Sequence, residues 1–108
     1  MTISSSMCRV LQSGKRIVIE FTSPRIPDDH RFLAFREALL KLIQEQGATD
    51  VAFDLAGVKV VPSLMLGLMA WLSRNKVDVS VYHPSDEIRD TLAFTDLDTI
   101  IDVCDTES

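Results

Sequence analysis

Apolar residues recur along this chain with two periods, and the changes between them divide it into elements. The segment "MCRVL" reads as a short strand, and Ser13-Gly14 is a tight-turn signal. After it, "KRIVIEF" alternates Ile17, Ile19 and Phe21 onto one face. The two strands are expected to pair as a hairpin. "TSPRIPDD" holds Pro24 and Pro27, reads as a loop, and offers Asp28 or Asp29 as a helix N-cap. From His30 to Gln46 the apolar positions are Phe32, Phe35, Leu39, and Leu42 or Ile43. That is the spacing of one helical face, leaving Arg31, Glu37, Lys41 and Glu45 for water, with Gly47 as the stop.

"DVAFDL" is a short, nearly all-apolar strand of the kind covered on both faces. "VDVSVYHP" alternates Val77, Val79 and Val81 and ends at Pro84. Ser85 then caps a helix that turns Ile88 and Leu92 inward, with Asp86 and Glu87 in its first turn, where carboxylates suit the helix dipole. A last short helix is expected from Thr95, with Asp98 completing a shortened capping box and Leu97, Ile100 and Ile101 buried. Strands alternating with helices imply an α/β domain with a mostly parallel or mixed sheet and right-handed crossovers.

Between those strands lies "VVPSLMLGLMAWL", Val60 to Leu72, with one proline and one serine heading an apolar run. Pro62 biases the chain before it to be extended, so Ser63 is expected as the N-cap of the helix. At about 100° per residue, Ser63, Gly67, Ala70 and Arg74 share one stripe, while Trp71, Leu64, Leu68, Leu72, Met65, Met69 and Leu66 sweep about 220°. A surface helix needs an apolar arc of little more than about 100°. The excess implies burial on two sides or an exposed apolar strip that meets a partner, for which the flexible thioethers of Met65 and Met69 are suited. A phosphate on Ser63 would sit at a helix N-terminus, favourable for an anion, and would add negative charge at the edge of that strip.

Composition narrows the class. The 108 residues suffice for one domain with one core, and 46% hydrophobic with 25% charged is ordinary for a globular chain. The longest apolar run, Leu64 to Leu72, is about half of what spans a bilayer. No basic region leads into a long apolar segment in "MTISSSMCRV", so a cytoplasmic protein is expected. Cys8 and Cys104 lie near opposite ends and read as reduced thiols that pack like small hydrophobes. The net charge of −5 is uneven: residues 1–76 hold 10 basic and 7 acidic residues, and residues 77–108 hold 1 basic and 9 acidic. That acidic end excludes nucleic acid as the expected partner and reads as a solvated face and tail or as a docking surface for a basic partner.

Catalytic chemistry finds little support. A serine nucleophile needs a base and an orienting group, and His30 and His83 are the only imidazoles. His30 stands at a helix start. His83 ends a strand at the sheet edge shared with Asp54 and Ser63, where a Ser–His contact is conceivable. There is no phosphate-cradling glycine loop, no HExxH or CxxC, and no paired metal-ligand spacing, so no enzyme, cofactor or metal is expected. Asp54 is either a partner contact at the carboxyl end of a strand or an acceptor of backbone bonds in the "DLAGV" turn.

The order and spacing of "FDLAGV", the Leu66-Gly67 pair, "VYHPSDEIRDTL" and "FTDLDTIIDV" resemble the STAS domain family of bacterial anti-sigma-factor antagonists, over almost the whole chain. The resemblance implies a single domain over residues 1–108, with a four- or five-stranded mixed sheet packed with about four helices. It also implies a role in partner switching, in which the unphosphorylated antagonist binds an anti-sigma factor of ATPase/kinase fold and phosphorylation reverses this. The family motif Asp-Ser-Ser/Thr-Gly is replaced here by Pro62, Ser63, Leu64 and Met65, so the phosphoacceptor position falls on Leu64 and Ser63 lies one residue early. The expected function is a non-catalytic regulatory binding module without the usual phosphoswitch. Its partner-binding residues are Asp54, Pro62, Ser63, Leu64, Met65 and Gly67, with Ser63 the only candidate for phosphorylation. The alternative is a STAS-type regulatory subunit of a membrane transporter, touching the bilayer only through its partners. A homodimer through the broad apolar arc would also account for that arc.

Overall fold

The computed structural model describes residues 7–104; the expectations about the first residues and the acidic tail lie outside them. Five strands, β1 (Cys8–Gln12), β2 (Arg16–Phe21), β3 (Asp50–Asp54), β4 (Asp78–Tyr82) and β5 (Asp102–Cys104), form one sheet in the order β1-β2-β3-β4-β5. β1 and β2 are the expected antiparallel hairpin, and the remaining pairs are parallel. The hairpin turn needs Gly14, whose φ of 119° lies where side chains rarely fit. The β1–β2 register shifts between Val10 and Gln12, and Leu11, at the irregularity, is left half exposed.

Three helices connect the parallel strands: α1 (His30–Gln46), α2 (Ser63–Arg74) and α3 (Asp86–Phe94). With strands in chain order, right-handed crossovers set all three on one face. Burial agrees. The registered rows Ile17–Val51–Val79 and Ile19–Phe53–Val81 are buried against Phe32, Phe35 and Leu39 of α1, Met65, Leu68, Met69 and Leu72 of α2, and Ile88 and Leu92 of α3. Phe21 anchors this core, edge-on to Phe35 with ring centroids 5.4 Å apart and stacked on Phe53 at 6.1 Å. Leu42 and Ile43 are only half-buried at the outer end of α1. Cys8 is buried, Cys104 is half-buried, and no disulfide joins them.

Among the described residues, the opposite face of the sheet carries no helix. Arg16 reaches from β2 to donate through Nη2 to the Tyr82 hydroxyl on β4 at 2.9 Å, with its guanidinium 5.8 Å from the ring centroid. By register this pair crosses the central strand over Ala52, which is why that small side chain is fully buried on a face without helices. Arg9 and Glu20 form an ion pair on the same face.

Asp29, not Asp28, caps α1: its Oδ1 accepts from the Arg31 backbone N–H at 2.9 Å, and Oδ2 accepts from Nη2 of Arg31 at 2.9 Å. The hydrogen bonds from the Arg31 side chain, then from its backbone, hold the Asp29 carboxyl at about 2, below its ordinary 3.8. A carboxyl lowered on folding stabilises above its unfolded pKa and loses that contribution as pH falls through the folded value. The first turn of α1 is therefore expected to stay closed above 3.8 and to loosen toward about 2. Amide exchange at Arg31 and Phe32 across that range checks this; no change in protection would contradict it. Gly47, in the left-handed conformation at φ 61°, ends the helix as expected.

Two sequence expectations are corrected. Pro62, extended at φ −77° and ψ 162°, is the N-cap of α2, and no side chain caps this helix. Ser63 is its first helical residue, because the Pro62 carbonyl already accepts from the N–H groups of Met65 and Leu66. The expected last helix is a single 3₁₀ turn, Leu97–Thr99, preceded by Asp96 in the left-handed region, without the capping box. Leu97 and Ile101 are buried there, but Ile100 is 47% exposed because the chain turns to enter β5.

Candidate functional site

The candidate site is the head of α2 and the loops beside it, at the carboxyl end of the sheet. Asp54 ends β3 and is buried, and its Oδ1 accepts from the Ala56 backbone N–H at 3.1 Å. Its carboxylate thus closes the turn that starts the β3–α2 loop, the second of its two sequence readings. The loop is tied on both sides. Lys59 N–H donates to the Pro24 carbonyl at 3.0 Å and Val60 bridges Arg25 in the β2–α1 loop, while the Ser85 hydroxyl donates to the Lys59 carbonyl at 2.9 Å.

Ser85 also accepts from the Ile88 N–H at 3.2 Å as the N-cap of α3. One hydroxyl therefore fastens the site loop and starts a helix. Ser85→Ala is expected to cost about 1–2 kcal/mol, as for other N-caps, measured by denaturant unfolding; a loss within error would show that neither bond contributes.

Around α2 the expected residues separate by exposure. Pro62 is half-buried, Ser63 and Gly67 are exposed, and Leu64 is 39% exposed. Met65 is fully buried in the core, which removes it from the surface a partner could touch. The 100° step between Leu64 and Met65 is what divides them. The broad apolar arc resolves into a buried side, Met65, Leu68, Met69 and Leu72, and an exposed strip of Leu64, Gly67 and Trp71, with Val60 at its head. Sequence reasoning assigned no site role to Val60 and Trp71. Their signal was the arc exceeding what a helix can bury, with Leu64, Gly67 and Trp71 at steps of three and four.

Gly67 breaks the strip. A Cβ placed there would meet nothing within 4 Å, so packing does not demand glycine, although it costs a helix about 1 kcal/mol relative to alanine. Arg25, Lys59 and Arg74 are exposed on the β2–α1 loop, the β3–α2 loop and α2, so the strip's surroundings are basic. No hydrogen bond joins His83 to Ser63 among the described residues, and His83 instead turns the chain at φ 56° after β4. Among the described residues no group of acidic, histidine or cysteine side chains is placed to hold a metal, and no helix is long and apolar enough to cross a membrane.

The sequence matches no protein-family model and, at a significant level, no curated protein. Solved structures match over nearly all of it. The anti-sigma factor antagonist SpoIIAA in its unphosphorylated form superposes with a TM-score of 0.74 at 16% identity, covering 93% of this chain and 87% of its own. An anti-sigma factor antagonist from Mycobacterium paratuberculosis gives 0.73 at 17% identity, covering 92% and 85%. A candidate antagonist from Thermotoga maritima gives 0.70 at 16% identity, also covering 92% and 85%. The chain has the STAS fold. Within it, the five-stranded mixed sheet matches the architecture expected from the sequence, with three α-helices and one 3₁₀ turn where about four helices were expected.

Proposed function

We propose that this STAS-fold chain is a regulatory module that binds an anti-sigma factor of ATPase/kinase fold through the head of α2, and that it does so without the usual phosphoswitch. The observation that carries the reading is the exposed strip of Val60, Leu64 and Trp71 around an unfilled Gly67. A helix gains nothing within its own domain from leaving these side chains in water and a glycine at its centre. A partner gains apolar area from the first and close backbone approach from the second. Pro62, Ser63, Leu64 and Gly67 are the contact residues of this reading, and Asp54 acts by shaping the loop that presents them.

The absence of a switch follows from side-chain chemistry. Leu64 stands at the acceptor position that the resemblance assigns and has no hydroxyl. Ser63, one step earlier, points about 100° away around the helix, out of line for a kinase centred on the next residue. Incubating the chain with its captured partner and Mg-ATP, then measuring intact mass, tests this. The mass is expected to stay unchanged; a phosphate mapped to Ser63 would restore the switch and overturn this part of the reading.

A further inference from the structure

A second helix face lies unpartnered, on α3. Ile88 and Leu92 enter the core, and about opposite them stand Asp86, Glu87, Asp90 and, closing the helix, Phe94. Phe94 is 90% exposed, the most exposed large apolar side chain described, and Ile100 at the end of the following 3₁₀ turn is 47% exposed. Local structure does not account for the phenyl ring, because phenylalanine is a poorer helix former than alanine or lysine. Nor does it account for all the charge around it. Asp86 and Glu87 complement the N-terminus of α3 and Asp98 that of the 3₁₀ turn, but Asp90 lies beyond the first turn of α3 and Asp96 follows its C-terminus, where the dipole disfavours carboxylates. All five carboxylates are exposed, and the ion pairs among the described residues, Arg9–Glu20 and Arg31–Asp29, use none of them.

We infer that this face docks a basic protein segment that buries Phe94 in an apolar pocket and sets Lys or Arg side chains against Asp86, Glu87, Asp90, Asp96 and Asp98. Charge complementarity selects this occupant. Nucleic acid would meet a field of its own sign, and a two-fold contact with a second copy would place the same carboxylates against each other. The head of α2 is flanked instead by the exposed Arg25 and Lys59, whereas Arg74 lies at the far end of that helix, next to Ser73, whose hydroxyl donates to the Ile100 carbonyl at 3.1 Å. Phe94 lies at the opposite end of α3 from Ser85, which is tied to the β3–α2 loop, about 13 Å away at the helical rise. The head of α2 and the α3 face thus differ in the sign of their charge.

A titration of the isotope-labelled full chain with a synthetic amphipathic peptide of Lys and Leu, followed by NMR, tests the inference. Shift changes are expected to centre on Asp90 to Ile100, to weaken with added salt, and to need about tenfold or more peptide in Phe94→Ser. Phe94→Ser is expected to leave the melting temperature unchanged. Shifts centred on α2, equal affinity for Phe94→Ser, or a lowered melting temperature in that variant would each overturn the inference. So would dimerisation of the wild-type chain on concentration that Phe94→Ser abolishes, since the occupant would then be a second copy.

Discussion

Phe53→Ala is expected to remove about 3–5 kcal/mol of stability. Phe53 is fully buried on β3, the central strand of the sheet, registered between Ile19 and Val81, and stacked on Phe21. Its removal takes away both the transfer free energy of the ring and the contacts that hold Phe21 against Phe35. Neighbours on a paired central strand cannot collapse into the space, so a cavity term adds to the transfer term. Total stabilities of small domains are about 5–15 kcal/mol, so the variant should be largely unfolded well below the wild-type midpoint. Urea unfolding monitored at Trp71 and by circular dichroism checks this, and a loss under about 1 kcal/mol would show that β3 is not the centre of the core.

Leu64→Asp is expected to act in the opposite way, leaving the fold intact and abolishing partner binding. Leu64 is 39% exposed on the second residue of α2, and a carboxylate in the first turn of a helix is favoured by the dipole. Stability should therefore hold or rise slightly. In a complex the same carboxylate would replace buried apolar area with an unpaired charge, a penalty of several kcal/mol and about 100-fold or more in affinity. Met65→Asp, one residue on, would instead unfold the domain, because Met65 is fully buried. Melting curves and titrations of the two variants separate binding surface from core at adjacent positions.

That adjacency shows where sequence reasoning reaches its limit. The alternation Ile17, Ile19, Phe21, the spacing Phe32, Phe35, Leu39, the stop at Gly47 and the cap at Ser85 were readable because each is a local rule satisfied by the residues that obey it. The apolar arc of α2 was readable as an excess, but which part of it faces water depends on the sheet beneath, and periodicity holds no phase. Ser63 was misplaced as a cap because a serine after proline satisfies the capping rule on paper, whereas Pro62 can end the extended segment without offering a side chain. β5 was invisible. Asp102–Cys104 is too short to show a period, and it pairs only because β4 presents an open edge. The Arg16–Tyr82 contact over Ala52 joins strands far apart in sequence, and no local pattern announces it.

The most direct measurement is affinity capture from a lysate of the source organism with the wild-type chain and with Leu64→Asp, identifying retained proteins by mass spectrometry. The strip on α2 is expected to retain an anti-sigma-type ATPase in the wild type and to lose it in the variant. Retention of the same transporter components by both would contradict it and place the functional surface elsewhere on the domain.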